Sequence, residues 1–343
     1  MGKRVTIYDI ARESGVSVSS VSRVLTNNAY PVSESMRRKV MDTAKRLGYT
    51  LNVKADSVQS GREIGVVIPN ISNPCYAQLV KGIQDMAICN NYHILLYNSY
   101  RDKEQEERNI CRLIEKKVEG ILLASICSEH TVLQQALEKG QRIITMEQEL
   151  HMPVIHVGYD YRMGGQMATA HLLRYGHRKI GFIGAPLDRP SRVELLQGYK
   201  QALSTLGIPA EERYIWLSGS ERESTGIYEI DNGINCAQYF LQMRDKPTGF
   251  VAINDLTALG AMRGFLMKGL RIPQDISIIG FDNISYCDIS TPGLTTIDQQ
   301  ACEMGAVAAR LLIGQIEHPD VVQYTMRLQP KLVERGSVSF VPV

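Results

Sequence analysis

The chain has 343 residues, of which 44% are hydrophobic and 22% charged, a composition typical of a globular protein with two or three domains. The seven cysteines and seven histidines are scattered, so the sequence predicts neither a disulfide framework nor a metal site. No apolar run is long enough to cross a bilayer and no signal peptide opens the chain, so we expect a cytoplasmic protein without membrane contact. Phosphate-binding loops and nucleophile motifs are absent from the sequence, which predicts neither an enzyme nor a cofactor.

The net charge of +2 conceals an uneven distribution. Residues 1–62 contain 11 Lys and Arg against 5 Asp and Glu, a net charge of +6. The remainder contains 27 against 31, a net charge of −4. A basic segment attached to a mildly acidic body predicts that a polyanion binds the N-terminal segment only.

Residues 6–26 have the pattern of two short helices joined by a turn. Thr6 is a good N-cap for the first helix, and Asp9 follows at the capping-box position. Gly15 can adopt the left-handed conformation that ends a helix. Ser17 can then cap the second helix.

The second helix has one apolar and one polar side. At 100° per residue the apolar side contains Val18, Val21 and Leu25, with Val24 at its margin, and the polar side contains Ser19, Ser22 and Arg23. Short hydroxyl side chains allow close approach to DNA, and arginine can bind guanine O6 and N7 together, so the pattern fits a helix in the major groove. An ordinary helical hairpin with a solvated polar face is the alternative.

A third helix is predicted from about Ser33 to Leu47, followed by a polar, weakly patterned segment. We therefore divide the chain into a helix-turn-helix DNA-binding domain at 1–48, a hinge or linker at 49–62, and a core at 63–343.

Apolar strands and helices alternate through the core. Strands are predicted at 64–69, 93–98, 120–125, 142–146, 154–157, 179–184, 213–217, 249–253, 276–281 and 294–297, with helices between most of them, one near 299–317, and two terminal strands. This alternation predicts an α/β fold with doubly wound parallel sheets in two lobes. We expect the first lobe at about 63–161 and 293–322 and the second at about 162–292 and 323–343.

Polar side chains follow several of these strands, and ligands of open α/β sheets bind at the carboxyl ends of the strands. These residues are Asn73, Cys75, Tyr76, Glu147, Asn254, Asp255, Asp282, Asn283, Asp298 and Gln299. Amides and carboxylates beside tyrosines fit a polyhydroxylated small molecule. Alternatively, Asn and Asp after strands cap the next helix, as we expect for Asp160 and Asp255.

Motifs in most parts of the chain resemble the LacI/GalR family of bacterial transcriptional regulators. They are Thr6-Ile-Tyr-Asp-Ile-Ala-Arg12, Val21-Ser-Arg-Val-Leu25, Leu47-Gly-Tyr49, Gly65-Val-Val-Ile-Pro69, Gly176-His-Arg-Lys-Ile-Gly-Phe182, Leu196-Gln-Gly-Tyr199 and Ile272-Pro-Gln-Asp-Ile-Ser-Ile-Ile-Gly-Phe-Asp282. The resemblance implies a repressor that binds a pseudo-palindromic DNA operator as a homodimer. It also implies a core like periplasmic sugar-binding proteins, with a sugar or related metabolite bound between the lobes.

The DNA-binding residues that we predict lie in the first helices and in the family's hinge helix. They are Thr6, Ser17, Val18, Ser19, Ser22 and Arg23, followed by Asn52, Ala55 and Val58. For Val18 the resemblance implies base contact, whereas helical periodicity places it on the buried side. Leu51, Asp56 and Val58 replace a usual proline, arginine and wedge leucine, which predicts weaker operator kinking or a shifted register.

Carried over by position, the resemblance implies effector binding by residues that follow the predicted strands. These are Cys75, Tyr76, Glu147, Asn254, Asp282 and Gln299, joined by Tyr228 if an insertion near 219–227 is accepted. The family's arginine before Gln-Gly-Tyr is Leu195 here, and Arg192, one turn earlier, is its expected substitute.

Two alternatives remain open. The segment Val307-Ala-Ala-Arg310 resembles the helix on which the family's catabolite-control branch binds a phosphocarrier protein, although Asn90 lacks that branch's aromatic residue. A sugar-binding module without a DNA function is a less favoured alternative, because it leaves the basic N-terminal segment unexplained.

Overall fold

The computed structural model describes residues 5–25, 32–49, 62–127, 131–147, 149–150, 152–219, 228–320 and 324–341. The chain forms two compact units, Met1–Ser60 and Gly61–Val343. The division falls inside the segment that the sequence predicts as a linker.

The N-terminal unit contains three helices: α1 at Ile7–Ser14, α2 at Val18–Leu25 and α3 at Glu34–Arg46. The predicted capping box is present, since the Asp9 amide donates to Thr6 Oγ1 at 3.4 Å and the Thr6 amide donates to Asp9 Oδ2 at 2.9 Å. Gly15 has a φ of 63° and ends α1. The Ser20 amide donates to Ser17 Oγ at 3.2 Å, which confirms Ser17 as the cap of α2.

The apolar side of α2 is centred one position away from the prediction. Val21 and Val24 are buried against Ile10 and Val40, whereas Leu25 is only half-buried. Val24 therefore belongs to the centre of the small core and not to its margin. A period of 100° per residue describes a helix of eight residues too coarsely to fix which apolar side chain the other two helices cover.

Strands and helices alternate through the first part of the core, except that β5 follows β4 without a helix between them. They are β1 Arg62–Ile68, α4 Pro74–Cys89, β2 Tyr92–Asn98, α5 Lys103–Glu115, β3 Gly120–Ala124, α6 Thr131–Glu138, β4 Arg142–Glu147, β5 Ile155–Tyr159, α7 Tyr161–Arg174, β6 Ile180–Gly184 and α8 Pro190–Ser204. The chain continues with a 3-10 turn Glu212–Tyr214, β7 Ile215–Leu217, α9 Tyr228–Leu241, β8 Gly249–Ala252, α10 Asp255–Leu266, β9 Ser277–Phe281 and α11 Tyr286–Ile289. It ends with β10 Thr295–Asp298, α12 Ala301–Glu317, β11 Met326–Leu328 and β12 Lys331–Val333.

The strands form two sheets, one in each lobe. The first sheet has the order β11-β5-β4-β3-β1-β2 and is parallel throughout. The second has the order β12-β10-β9-β8-β6-β7, with β12 antiparallel to β10. Helices cover the sheets, so the central strands are fully buried, as their continuous apolar runs predict. This arrangement confirms the predicted fold class.

Two short strands lie in the opposite lobe from the one predicted. Strand β10, assigned to the first lobe, pairs with β9 of the second sheet, with Thr295 opposite Ile279. Strand β11, assigned to the second lobe, pairs with β5 of the first sheet, with Met326 opposite Val157. Strands of three or four residues have too little periodicity to indicate their partner, and only pairing decides it. Helix α12 packs on α4 and the first sheet, so the chain passes between the lobes three times.

Helices α9 and α10 are held together by two glycines. A Cβ on Gly233 would lie 2.1 Å from the carbonyl oxygen of Thr257, and a Cβ on Gly260 would lie 2.1 Å from that of Ile230. Because no side chain fits, the two backbones touch directly. This contact fixes the N-terminal ends of both helices beside each other in the second lobe.

Candidate functional site

The polar side of α2 presents hydroxyl groups and one arginine. Ser19 and Arg23 are exposed, and Ser22 is half-exposed. The Ser17 hydroxyl lies 2.9 Å from the hydroxyls of both Ser19 and Ser20. These short side chains leave room for a partner to approach α2 closely.

Val18 and Thr6, two further predicted DNA-binding residues, differ in their exposure. Val18 is half-buried and packs against the small core of the N-terminal unit, as helical periodicity predicts, so it offers a partner only part of its surface. Thr6 is exposed at the start of α1. Asn52, Ala55 and Val58 lie outside the described residues.

All eight predicted effector-binding residues line one cavity of about 100 Å³ between the two lobes. They are Cys75, Tyr76, Glu147, Arg192, Tyr228, Asn254, Asp282 and Gln299. The first three belong to the first lobe, and Gln299 lies where the chain passes from β10 to α12. The carboxyl ends of strands from both sheets therefore meet at the same space.

Glu147 is the acidic group of the first lobe in this cavity. The Tyr76 hydroxyl donates a hydrogen bond to Glu147 Oε2 at 3.0 Å. Burial raises the pKa of Glu147 to about 7, against the smaller opposing effects of Tyr76, Arg189 and Arg101. Its φ of 68° is uncommon for a residue other than glycine and turns the chain sharply at the end of β4.

Asp282 occupies the corresponding place in the second lobe. Gln299 Nε2 donates to Asp282 Oδ1 at 2.6 Å, and the Asp282 amide donates to the carbonyl oxygen of Ile297 at 2.8 Å. Burial, followed by the nearby carboxylates of Asp255 and Glu147, raises the pKa of Asp282 well above its usual value. Its φ of 120° is strained for an aspartate, and such strain is concentrated at ligand sites.

Asn254 caps α10, and the predicted cap, Asp255, has another role. The Thr257 amide donates to Asn254 Oδ1 at 2.8 Å. Asp255 is fully buried and accepts hydrogen bonds from the Ile284 amide at 2.9 Å and the Thr296 hydroxyl at 2.5 Å. It joins three segments of the second lobe, which a single sequence window does not reveal. Asp160 caps α7 as predicted, since it accepts from the Met163 amide at 2.8 Å.

Cys75 and Arg192 line the cavity with constrained side chains. Burial raises the pKa of the Cys75 thiol well above its usual value, so it stays protonated. Arg192 Nη1 donates to the Pro186 carbonyl oxygen and to Asp188 Oδ1, both at 2.9 Å. Leu195, at the position of the family's arginine, is buried in the core.

Further cavity residues lie outside the eight effector-binding residues that we predicted, although Asn73 is among the residues noted after the strands. They are Asn73, Arg101, Ser125, Tyr161, Ala185, Arg189, Ser191, Glu229, Asn232, Ile253 and Thr257. Arg101, Ser125, Tyr161 and Ala185 follow β2, β3, β5 and β6, so inspecting the residues after every strand finds them. The helical residues Glu229 and Asn232 carry no comparable signal.

Three cavity side chains hold buried oxygens that lack a hydrogen-bond partner among the described residues. These atoms are Glu229 Oε2, Thr257 Oγ1 and Gln299 Oε1. A buried acceptor without a donor is costly, by about 1–3 kcal/mol. The cavity is thus suited to a ligand that donates several hydrogen bonds.

Within the described residues, no helix combines the length and apolar character needed to cross a membrane.

Two family models match the sequence. The model of bacterial regulatory proteins of the lacI family matches residues 6–52, and that of the periplasmic binding protein-like domain matches residues 169–338. They cover the helical N-terminal unit and most of the second lobe.

Full-length relatives agree with these matches. Catabolite control protein A of Priestia megaterium is 34% identical over 340 residues, covering 97% of this chain and 99% of the relative. The ribose operon repressor of Escherichia coli K12 is 32% identical over 339 residues, with coverage of 97% and 99%. A crystal structure of a LacI family regulator from Enterococcus faecium with bound ribose superimposes with a TM-score of 0.73 at 30% identity, covering 82% of this chain and all of that one. The chain belongs to the LacI family of bacterial regulatory proteins and is a DNA-binding transcriptional regulator, not an enzyme.

Proposed function

We propose that this regulator is a cytoplasmic repressor whose operator affinity is controlled by a sugar or related polyhydroxylated metabolite bound between the lobes. The observation that carries the proposal is a cavity lined by carboxyl and amide groups of both lobes, with buried acceptor oxygens that lack donors among the described residues. Sugar hydroxyls supply such donors, and tyrosine rings pack against sugar rings. The ribose held by the Enterococcus faecium relative supports this ligand class.

Because the two lobes contribute opposite walls, an effector that touches both favours one degree of closure over another. A ligand can shift the equilibrium only by its difference in affinity for the two states. The coupling between effector and operator is about 1–3 kcal/mol in typical cases. Glu147 from the first lobe and Asp282 from the second are the contacts that we expect to sense closure.

For the operator we propose that α2 lies in the major groove, with Arg23 as the main direct base contact. Serines make fewer and weaker base contacts than a bidentate arginine, and Val18 is half-buried. The exposed cations of α3, such as Arg38 and Lys45, suit phosphate contacts.

We propose a homodimer that binds a pseudo-palindromic operator, since two identical heads match two half-sites. Exposed apolar side chains of the first lobe support self-association. Ile88 at the end of α4 is 60% exposed, and Leu96 on the edge strand β2 is 40% exposed. A second copy of this chain that covers them removes an aggregation hazard.

A phosphocarrier co-effector remains an alternative that the α12 surface does not favour. In the segment resembling the docking helix, Val307, Ala308 and Ala309 are buried, which leaves Arg310 as its exposed residue. Asn90, at the aromatic position, donates from Nδ2 to the Met86 carbonyl oxygen at 2.8 Å.

A thermal-shift screen of the full chain tests the effector proposal. The panel contains pentoses, hexoses, disaccharides, nucleosides and sugar phosphates. We expect at least one sugar to raise the Tm of the wild type, because a ligand that binds only the folded state stabilises it. The same sugar should leave the Tm of Asp282→Ala unchanged. A panel in which only nucleosides act, or in which no compound acts, contradicts the sugar proposal.

A further inference from the structure

A buried ion pair connects the two lobes at the cavity. Arg101 follows β2 in the first lobe, and Glu229 is the second residue of α9 in the second lobe. Arg101 Nη2 lies 2.7 Å from Glu229 Oε1, and the side chains are only 6% and 3% exposed. Both residues line the cavity. The pair therefore joins the lobes from within the proposed binding site.

The second oxygen of Glu229 has a different environment. Glu229 Oε2 is buried and accepts no hydrogen bond from the described residues. Tyr228 and Asn232, its neighbours on α9, line the same cavity. A carboxylate that is bound by a cation through one oxygen and lacks a donor at the other is incompletely satisfied, and buried polar groups normally find a partner.

We propose that Glu229 binds the effector directly, accepting a hydrogen bond from an effector hydroxyl at Oε2. Arg101 is a positioning residue, which holds the carboxylate from the opposite lobe through Oε1. This inference rests on the proposed function and deepens it, since neither residue was predicted as a binding residue.

The arrangement couples effector binding to closure. Opening the lobes separates Arg101 from Glu229 and exposes both charges to water. Closing them buries both charges, which is acceptable only if each is paired and hydrogen-bonded. An effector hydroxyl at Oε2 supplies the donor that the Glu229 carboxylate lacks, and it does so in the closed state alone. At this end of the cavity the Glu229 carboxylate also favours a ligand with a hydrogen-bond donor and disfavours one with an anionic group.

The test uses the full chain and three variants: Glu229→Gln, Arg101→Gln and the double variant. The matched control is Asp275→Asn, which breaks the exposed ion pair between Arg271 and Asp275, 2.8 Å apart and outside the cavity. The probes are D-ribose, D-glucose and cellobiose. Affinity for whichever binds the wild type is measured by titration calorimetry, and lobe closure by small-angle X-ray scattering with and without the sugar.

We expect Glu229→Gln to weaken sugar binding about tenfold or more, the usual effect of losing a hydrogen bond to a charged group. Arg101→Gln should weaken it similarly and reduce the compaction that the sugar causes. When Glu229→Gln is already present, adding Arg101→Gln should weaken sugar binding by less than about a further threefold, because the two residues act as a unit. Asp275→Asn should bind like the wild type.

Two results overturn the inference in distinguishable ways. If the wild type binds a sugar and Glu229→Gln binds it equally well, or if the single effects simply add, Glu229 and Arg101 do not have these roles and the proposed function stands. If neither the wild type nor any variant binds a sugar, the proposed function fails and the role of Glu229 fails with it.

Discussion

The indole Nε1–H of Trp216 donates to Oδ1 of Asn232 at 2.8 Å, and Asn232 lines the cavity between the lobes. Trp216 is the single tryptophan of the chain. Asn232 also donates from Nδ2 to the carbonyl oxygen of Gly184 at 3.0 Å, so its amide is fixed between the indole and the end of β6. The Asn232 side chain thus links the indole of Trp216 to the lining of the cavity.

We predict that a bound effector changes the tryptophan emission of the wild type with a saturating dose dependence. Replacing Asn232 by Ala removes the hydrogen bond to the indole and should abolish or strongly reduce the change. The measurement is an emission titration at fixed protein concentration. An unaltered spectrum under conditions where calorimetry detects binding would contradict this link.

Asp282→Asn should abolish the effector response while operator binding without effector persists. Asp282 accepts a hydrogen bond from Gln299 Nε2 at 2.6 Å within the cavity. The proposed DNA contacts belong to the other compact unit, Met1–Ser60. The effector response is the ratio of operator affinities with and without effector, measured by fluorescence anisotropy. Asp288→Asn, which changes a carboxylate outside the cavity, is the control. A normal response in Asp282→Asn would remove Asp282 from the effector site.

Glu147→Gln should make the stability of the core less dependent on pH. The pKa of Glu147 is raised to about 7, so between about pH 4.5 and pH 7 the folded protein keeps a proton that the unfolded chain releases. Raising the pH through this window therefore lowers the free energy of unfolding, by up to about 3 kcal/mol for this group. Urea unfolding at pH 5 and pH 8 compares the wild type with Glu147→Gln.

The free energy of unfolding of Glu147→Gln should rise relative to that of the wild type at pH 8 but not at pH 5. Glu138→Gln, on the exposed side of α6, serves as the control and should leave the pH dependence unchanged. Parallel pH profiles for the wild type and Glu147→Gln would mean that Glu147 titrates normally.

Arg23→Ala should reduce discrimination between operator and random DNA by about 1–3 kcal/mol, the usual contribution of a bidentate arginine to base recognition. The operator is a duplex selected from a randomised pool by the wild type. The control is Arg12→Ala on α1, where Arg12 pairs with Asp9 at 3.2 Å. This variant should weaken binding to the operator and to random DNA by the same factor. If Arg23→Ala retains full discrimination, α2 does not read bases through this residue.

Operator affinity should fall steeply with salt, because residues 1–62 carry a net charge of +6. About six phosphate contacts give a slope of about −5 in a plot of log affinity against log salt concentration. Replacing Arg38, an exposed cation of α3, by Gln should reduce the slope by about one if it contacts a phosphate. A nearly flat response of the wild type would contradict binding dominated by phosphates.

The sequence predicted the order of strands and helices well, because buried parallel strands and amphipathic helices have patterns that local physics imposes. The strands at 120–125 and 276–281 were predicted within one residue of their observed ends. The lobe assignment of β10 and β11 was wrong because pairing, and not local pattern, decides it.

For the cavity, the sequence by itself determined which polar groups end the strands, and the eight predicted residues come together there. Only the tertiary structure decided their state and their neighbours. Burial raises the pKa of Glu147 to about 7, and Arg101 meets Glu229 across 128 positions of sequence, at 2.7 Å. Desolvation and contacts between distant segments depend on how the two lobes pack together, which no local pattern encodes. Strand ends follow from the chain itself, whereas the buried charges and the ion pair between the lobes follow from how the lobes pack together.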